Sequence, residues 1–443
     1  MFIESKELLN KKVLEYGPYL LIFLLPLQTR WMIKLGELNG GYWEYGTYSL
    51  YGTDLLLIGL LIFIFIDKGV RLLAGSRTPK QVWWFIGALE LFVFISIFFA
   101  PDKPLALYGY GRFVLGIGLF FLLAQIKYDK IKLYWSIVFA GAVQSLLAWQ
   151  QFCTQSVFAS KWLGMASQRA QDLGVSVVES GGERWLRAYG SLPHPNILGG
   201  FFAIVLLVNI ILYFNLWQEK KYKVGLLLSL IFFVINFTGL LLTFSRSAWL
   251  GFAVGALTLT LSRSFFAGEG IKQNLIVLLK FFFIIIAVGS LFFYFFRGPI
   301  LSRVNVDSRL ENKSLAERAA YNHEAWQIIQ NHRLFGIGIK NYGLGVYNEI
   351  DATQPAYAYQ PAHNVFLLVW AEIGIFGLIC FLVFLFSGFV ILWRRRNLEA
   401  LALLTALIVI MCFDHWLWSL SFGIYLFWLV IGITHTAKLD IRN

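Results

Sequence analysis

The sequence predicts an all-α polytopic membrane protein with about 12 transmembrane helices and two long extracytoplasmic loops. Three observations support this fold class. The 443 residues are 58% hydrophobic and only 14% charged, whereas a soluble domain is ~25% charged. Apolar runs long enough to cross a bilayer recur from one end of the chain to the other. Lys and Arg collect on one side of these runs. We therefore expect residues 1–443 to form a single integral membrane domain.

The apolar runs define the expected spans in chain order. They cover residues 16–33, 50–66, 82–100, 106–125, 132–152, 196–216, 224–244, 247–262, 274–296, 364–392, 398–412 and 415–434. No small-residue cleavage pattern follows the first run, so we interpret it as a retained helix and not as a signal peptide. The three cysteines show neither paired nor CxxC spacing, which indicates neither a disulfide framework nor a zinc site.

The distribution of basic residues predicts the orientation in the membrane. With the N-terminus inside, the inner segments carry most of the Lys and Arg, including the run Arg394-Arg395-Arg396, and the short outer turns carry few. Short cytoplasmic loops are enriched in this way, so we expect both termini in the cytoplasm. The same bias accounts for the net charge of +12, and we expect no nucleic-acid partner.

Two outer segments, 153–195 and 297–362, are long, and loops beyond ~12–15 residues are usually functional or disordered. In the second, Ser314 and Glu317 have the spacing of a capping box, and apolar residues follow near helical period. This pattern predicts an amphipathic helix over about 315–333 that lies on the outer membrane boundary or caps a cavity. A surface helix without a role in chemistry is an equally good interpretation.

Common catalytic signatures are absent from the sequence. It contains no GxxxxGK[ST], HExxH or GxSxG motif and no DxD-like pair in either long loop. His323 and His332 are too far apart on the predicted helix to share one ion. The run FGIGIKNYGLG lacks the preceding strand of a dinucleotide-binding fold. The sequence therefore disfavours a metal-dependent or nucleotide-consuming enzyme, and we expect no cofactor and no metal.

Isolated polar residues stand at the outer ends of several predicted spans. Arg246 lies in TFSRSAWLGF between two spans, Arg187 precedes the sixth span, and His363 opens the tenth. Two arginines can clamp a diphosphate, and a histidine can accept a proton from a sugar hydroxyl. This set suits glycosyl transfer from a lipid diphosphate. Each residue also has a structural alternative, because an interfacial Arg can snorkel to lipid phosphates and a His or Asn can cap a helix.

Three further polar residues complete the candidate set. His194, Asn364 and Arg318 are secondary candidates for the same site. Glu372 lies inside the tenth predicted span, where an ionisable group is costly and functional by default. It is separated from His363 by about 900° of helical rotation, so we expect the two side chains on opposite faces.

Four stretches resemble the O-antigen ligase and O-antigen polymerase family of bacterial membrane glycosyltransferases. They are RAYGSLPHPNILGG, TFSRSAWLGF, AERAAYNHEAWQIIQNHRLFGIGIKNY and HNVFLLVWAEIGIFGL, and they follow in the family's order within residues 185–380. The resemblance implies a GT-C-like fold. It also implies metal-independent, inverting transfer of a glycan from undecaprenyl-diphosphate, on the outer (periplasmic) face of the bacterial inner membrane. The implied partners are this donor, a glycolipid or glycan acceptor, and membrane lipids.

The resemblance assigns roles to three residues. Arg187 and Arg246 correspond by motif to arginines that bind the donor diphosphate, and His363 corresponds to the histidine that activates the acceptor hydroxyl. Many relatives carry a C-terminal helical-repeat domain, and we expect none here because the sequence ends at Asn443 after the last span.

The acceptor stays open. A ligase of lipopolysaccharide biosynthesis would use lipid A core, and a polymerase of O-antigen, capsule or exopolysaccharide would extend another carrier-linked chain. We expect acceptor contacts in residues 153–195 and in the helix at 315–333. A secondary transporter is the alternative from another class, although the long cytoplasmic connection common in transporters is only 217–223 here.

Overall fold

The computed structural model describes residues 2–68, 78–219, 222–266, 271–304 and 309–436, and these residues are mostly helical. In chain order the helices are α1 (Phe2–Leu24), α2 (Gly52–Lys68), α3 (Lys80–Ser96), α4 (Lys103–Gln125), α5 (Lys130–Thr154), α6 (Pro195–Glu219), α7 (Lys223–Leu242), α8 (Arg246–Phe266), α9 (Ile271–Val304), α10 (Arg309–Asn331), α11 (Tyr342–Glu349), α12 (Val365–Arg394), α13 (Leu398–Met411), α14 (Trp416–Ser419) and α15 (Ser421–Thr436).

Membrane-spanning helices dominate the described residues. Seven helices are long and apolar enough to cross a bilayer, namely α3, α4, α5, α6, α7, α9 and α12, and shorter apolar helices lie at 52–66, 398–411 and 421–435. The chain is thus a multispanning membrane protein, as the sequence predicts. Each predicted span coincides with a helix over most of its length except the first. The count of twelve stays a prediction.

The first predicted span, 16–33, is wrong in its second half. Helix α1 ends at Leu24, and Arg30–Lys34 form strand β1. Pro26 lies just beyond the helix, and proline has no N–H to donate and disfavours helical geometry in the residue before it. Its carbonyl accepts a hydrogen bond from Ser191 Oγ at 2.7 Å, which ties the turn to the first long outer segment.

Short hairpins organise the segments between helices. The strands are β1 (Arg30–Lys34), β2 (Glu37–Leu38), β3 (Gly41–Tyr42), β4 (Tyr48–Tyr51), β5 (Ser156–Val157), β6 (Gln168–Arg169), β7 (Val177–Ser180) and β8 (Glu183–Leu186). They pair antiparallel as β1 with β4, β2 with β3, β5 with β6 and β7 with β8. Gly181 and Gly182 connect β7 to β8 with φ of 61° and 82°, because a tight turn of this kind needs two left-handed residues. Strand β8 ends directly before Arg187.

Helix α6 is the centre of the bundle. It packs against α5, α7, α8 and α13, and its membrane window is fully buried. Its sequence is apolar all round, which is typical of a helix enclosed by others. Helix α6 begins at Pro195, shortly after Arg187, so the segment that carries Arg187 is attached to a helix that the bundle encloses.

The predicted amphipathic helix exists, but its start is different. Helix α10 begins at Arg309 and ends at Asn331, so Ser314 and Glu317 lie inside it and the predicted capping box is wrong. The earlier start coincides with Glu311, a buried carboxylate in the first turn that pairs with Arg246 and Arg303. A carboxylate near a helix N-terminus is also favoured by the helix dipole.

Helix α12 is broken at Gly374, where φ is 74°. A Cβ at this position would meet the Leu334 carbonyl oxygen at 2.1 Å. The glycine-rich run packs into the break, because Ile337 N donates to Ala371 O at 2.8 Å and Gly338 N donates to Glu372 O at 2.9 Å. In the described residues this run therefore serves close backbone packing.

A buried ion pair and its hydrogen bonds join helices α2, α4 and α15. Arg112 Nη1 of α4 contacts Asp54 Oδ2 of α2 at 2.5 Å. Tyr425 of α15 donates to Asp54 Oδ1 at 2.6 Å, and Arg112 Nη2 donates to Ser421 Oγ at 2.7 Å. Since both charges are paired and hydrogen-bonded, they can lie inside an apolar bundle.

Candidate active site

Arg187 is held rigidly between β8 and α6. Its Nε donates to Thr243 O at 2.8 Å, and its Nη2 donates to Asn196 Oδ1 at 2.6 Å. The side chain is buried and makes no ion pair with a carboxylate among the described residues. Burial lowers the pKa of Arg187 to about 10, and the nearby guanidinium of Arg318 contributes to the lowering. Arg187 is still cationic at neutral pH.

Arg246 opens α8 at the sharp turn of TFSRSAWLGF. The turn is possible because Phe244 adopts a left-handed φ of 47°. The Arg246 Nη2 atom contacts Glu311 Oε2 at 2.6 Å, and its Nη1 donates to Arg303 O at 3.1 Å. The side chain is 35% exposed. The head group is thus held by α9 and α10 and is still accessible.

Arg303 and Arg318 extend this set into an arginine cluster, which we define as Arg187, Arg246, Arg303 and Arg318. Arg303 also pairs with Glu311 and donates through Nε to Phe244 O at 3.2 Å. Arg318 forms no hydrogen bond or ion pair within the part of the chain that the structure describes, and burial lowers its pKa. Among the described residues, Glu311 is the carboxylate that forms ion pairs with the cluster, so four guanidinium groups face one paired carboxylate there.

His363 lies beside this cluster, directly before α12. Its imidazole stacks on Tyr321 of α10, with ring centroids 5.5 Å apart, and meets His415 edge-on at 5.0 Å. The Nδ1 atom is buried and has no hydrogen-bond partner in the described ranges. Burial lowers the pKa of His363, Asp414 raises it, and Arg318 lowers it. The imidazole is therefore neutral at pH 7, with one ring nitrogen open to a proton.

Asp414 and His415, in the break between α13 and α14, complete the site. Asn196 Nδ2 donates to Asp414 Oδ2 at 3.1 Å, which links Asp414 to Arg187. His415 Nδ1 forms a hydrogen bond with Ser419 Oγ at 2.7 Å. Burial opposes ionisation of Asp414, but His363 and its neighbours hold the pKa of this carboxyl below its usual value. Sequence reasoning missed both residues, although an Asp-His pair between two outer span ends was a usable signal.

The donor atoms of His363, Asp414 and His415 lie within 4.8 Å of one another, so their atom types and spacing could hold a metal ion. The surroundings oppose a cation, because the arginine cluster is adjacent and Asp414 already accepts hydrogen bonds from Asn196 and from the His415 backbone. The residues present therefore suit an anion better than a metal.

The secondary candidates differ in their placement. His194 accepts from Asn196 N at 3.1 Å and bonds to Ser176 Oγ at 2.9 Å, and burial lowers its pKa to about 3. His194 is therefore a buried, neutral residue whose hydrogen bonds connect the start of α6 to Ser176. Asn364 caps α12, because its Oδ1 accepts from the backbone N of Phe366 at 2.9 Å.

The structure therefore brings Arg187, Arg246, Arg318 and His363 into one site and gives Asn364 and His194 positioning contacts. Glu372 is not part of this set. It accepts a hydrogen bond from Trp418 Nε1 at 2.8 Å, in keeping with the expectation that it does not pair with His363.

The fold and this site define a multispanning membrane protein with a cluster of four arginines beside a histidine and a carboxylate. Residues 231–382 match a family model described as O-antigen ligase. The match covers about a third of the chain and confirms the resemblance to the O-antigen ligase and polymerase family. It includes Arg246 and His363, whereas Arg187 lies outside it. A search of curated proteins finds no match. The match supports a membrane enzyme of the O-antigen ligase or polymerase type.

Proposed function

We propose that this protein is an O-antigen ligase-like glycosyltransferase that moves a glycan from undecaprenyl-diphosphate to an acceptor hydroxyl. The observation that carries the proposal is the convergence of the arginine cluster and His363 in one site. These residues come from distant segments of the chain, and the cluster has more positive charge than Glu311 can neutralise. A membrane-embedded diphosphate is an anion that suits this centre.

In this proposal Arg187 and Arg246 bind the diphosphate. Arg187 uses Nε and Nη2 for Thr243 and Asn196, and within the described residues its Nη1 is left without a hydrogen bond. Guanidinium groups bind phosphate oxygens through charge-assisted hydrogen bonds. As the bond between the anomeric carbon and the diphosphate oxygen breaks, negative charge grows on the leaving group. Fixed arginines stabilise that charge without reorganising.

His363 acts as the general base. The acceptor oxygen attacks the anomeric carbon, its proton passes to His363 Nδ1, and the diphosphate departs on the opposite side, which inverts the configuration. Asp414 stabilises the imidazolium that forms. The stacked Tyr321 ring fixes the plane of the imidazole. His363 thus receives the hydroxyl proton, and the arginines bind the leaving diphosphate.

The acceptor distinguishes two versions of the proposal. A ligase transfers to lipid A core or a similar glycolipid, and a polymerase transfers to another carrier-linked glycan, with the same donor site in each case. We favour the ligase and retain the polymerase as the second candidate. We also propose that the protein lies in the bacterial inner membrane with both termini cytoplasmic. The site then faces the periplasm, because its residues stand at the span ends that the basic-residue bias assigns to that side.

A transfer assay tests the proposed function directly. Purified protein in liposomes is incubated with undecaprenyl-diphosphate oligosaccharide and either lipid A core or no second acceptor. We expect a glycosylated core for a ligase and a lengthened carrier-linked chain for a polymerase, and we expect EDTA to leave either rate unchanged. Absence of both products would contradict the proposal. Loss of activity in EDTA with recovery in Mg²⁺ or Mn²⁺ would contradict the metal-independent mechanism.

The pH dependence of transfer reports on His363. Since burial lowers its pKa, the base loses activity only when the pH falls through a value below the ordinary ~6.5. Asp414→Asn removes a charge that raises the pKa of His363, so the acidic limb of kcat/KM should move to lower pH. The rate at neutral pH should fall roughly tenfold or more, because the imidazolium is less stabilised.

The pH–rate profiles of the wild type, Asp414→Asn and Asp172→Asn check this prediction. Asp172 is an exposed aspartate of the first long outer segment and serves as the matched control, with an unchanged profile. An acidic limb that stays in place or moves to higher pH in Asp414→Asn would refute the role given to Asp414.

A further inference from the structure

A cleft lies next to His415, and the four arginines of the cluster are not among the residues that line it. Asp414 accepts a hydrogen bond from Asn196, and Asn196 in turn accepts one from Arg187. His415 instead contacts Tyr45, with ring centroids 5.8 Å apart, and Ser419. Tyr45 and Ser419 both line the cleft, whose empty space is about 540 Å³ including its open mouth. His415 thus lies between the candidate base His363, 5.0 Å from it by ring centroids, and the Tyr45 wall of the cleft.

Aromatic rings and polar groups of both signs form the walls of this cleft. Tyr45, Tyr108 and Trp418 supply ring surface, and Lys340 and Glu372 supply a cation and a carboxylate. Pockets that bind small polar molecules combine broad apolar surface with a few placed polar groups. Arg112 also borders the cleft, but it is already paired with Asp54.

Lys340 is held in an unusual position. Its backbone adopts a left-handed φ of 65°, which is uncommon for a lysine and is characteristic of functional segments. The ammonium lies 5.6 Å from the centre of the Tyr108 ring. It makes no hydrogen bond or ion pair with any other described residue, so its N–H groups are available to a molecule in the cleft.

Glu372 borders the cleft from the break in α12. Trp418 Nε1 donates to one carboxylate oxygen, and the neighbouring Gly374 interrupts the helix within a membrane-spanning segment. Non-helical backbone at membrane depth occurs where it is buried in protein or lines a water-filled cavity. An ionisable residue at such a place generally marks a substrate path.

We propose that this cleft is the subsite for the acceptor sugar and that it takes an uncharged, hydroxyl-rich sugar residue. The proposal rests on the proposed function. An inverting displacement needs the acceptor hydroxyl on the side of the anomeric carbon opposite the leaving diphosphate. Asp414 is linked to Arg187 through Asn196, whereas His415 contacts Tyr45 of the cleft, so the Asp414–His415 pair connects the two regions. Lys340 donates to sugar hydroxyls, Glu372 accepts from them, and Tyr45 and Tyr108 cover the apolar face of the ring.

The opposite charges of Lys340 and Glu372 favour a neutral sugar over an acidic one. This placement differs from the expectation drawn from sequence. The residues that line the cleft come from neither 153–195 nor 315–333, so the acceptor is recognised mainly by the ends of α4, α11, α12 and α15 and their adjoining turns.

Steady-state kinetics with both substrates varied tests the subsite. Lys340→Met keeps the side-chain length and the backbone strain but removes the donors, and Glu372→Gln keeps the shape but removes the charge. Each is expected to raise the acceptor KM roughly tenfold and to leave the donor KM within about twofold. Lys34→Met is the matched control, because Lys34 lies equally near a tyrosine ring, at 5.6 Å from that of Tyr48, but is outside the cleft.

Binding of lipid A core and of the carrier-linked oligosaccharide, each added alone, separates this proposal from the proposed function. Acceptor binding that Lys340→Met weakens, in a protein without transferase activity, would support the subsite and reject the function. Normal transfer with an unchanged acceptor KM in both variants would reject the subsite alone. An increase confined to the donor KM would also reject it, because the cleft would then hold the donor glycan.

Discussion

His363→Ala is expected to slow glycan transfer by ~10²–10⁴-fold, the usual contribution of a general base. The physical reason is the environment of its imidazole. It is neutral at pH 7 because burial lowers its pKa, and its Nδ1 has no hydrogen-bond partner among the described residues. A buried polar atom without a partner is rare in proteins and needs a functional reason. Acceptance of a proton from the acceptor hydroxyl is such a reason.

Single-turnover rates and donor binding measure this effect. The alanine variant should bind the carrier-linked donor with unchanged affinity, because the diphosphate is held by arginines, and should lose only the chemical step. His332→Ala is the matched control, since His332 also contacts a carboxylate, Glu349, at 2.7 Å but lies outside the site. Wild-type turnover in His363→Ala, or a loss of donor binding instead of rate, would show that His363 is not the general base.

The sequence predicted the spans well because the signal for a membrane helix is local. A run of apolar residues must satisfy its own backbone hydrogen bonds in lipid, so its composition is enough to identify it. The boundaries were less predictable where a tertiary contact decides them. Helix α1 ends before Pro26, although the apolar run continues past this proline. Helix α10 begins earlier than predicted, close to Glu311, which pairs with Arg246 and Arg303.

In the candidate site, too, the sequence identified residues with a local signal and missed those that depend on tertiary contacts. Arg187, Arg246 and His363 were noticeable because each is an isolated polar residue at the end of an apolar run. Asp414 and His415 also stand at the end of an apolar run. Their place in the site depends on contacts with Asn196 and His363, which lie far away in the chain. Sequence alone does not show which side chains meet across a bundle.

The sequence also did not show which arginines of the cluster pair with a carboxylate. Arg246 and Arg303 share Glu311, whereas the hydrogen bonds of Arg187 to described residues go to two neutral oxygens, those of Thr243 and Asn196. The two arginines of the proposed clamp are therefore not equivalent. Arg187 keeps its full charge for a ligand, and Arg246 has to share its charge between Glu311 and a phosphate.

Arg187→Ala should consequently be the most damaging of the arginine replacements, with a loss of ~10²–10³-fold in kcat/KM, the effect of removing one fixed donor to a developing anion. Arg187→Lys should recover little of this loss. An ammonium cannot donate to Thr243 O and Asn196 Oδ1 while also meeting a phosphate oxygen, because it lacks the planar fork of the guanidinium.

Initial rates at varied donor concentration, with membrane protein levels and thermal unfolding measured in parallel, check this prediction. Arg169→Ala is the control, because it removes an exposed arginine from the same outer segment and should leave kcat/KM unchanged. If Arg187→Ala unfolded the protein, the loss would reflect the bonds to Thr243 and Asn196, and Arg187→Lys would then separate charge from structure. A folded Arg187→Lys variant with wild-type kcat/KM would show that a single positive charge is sufficient. The proposal that Arg187 needs its guanidinium to hold Thr243, Asn196 and the diphosphate together would then be wrong.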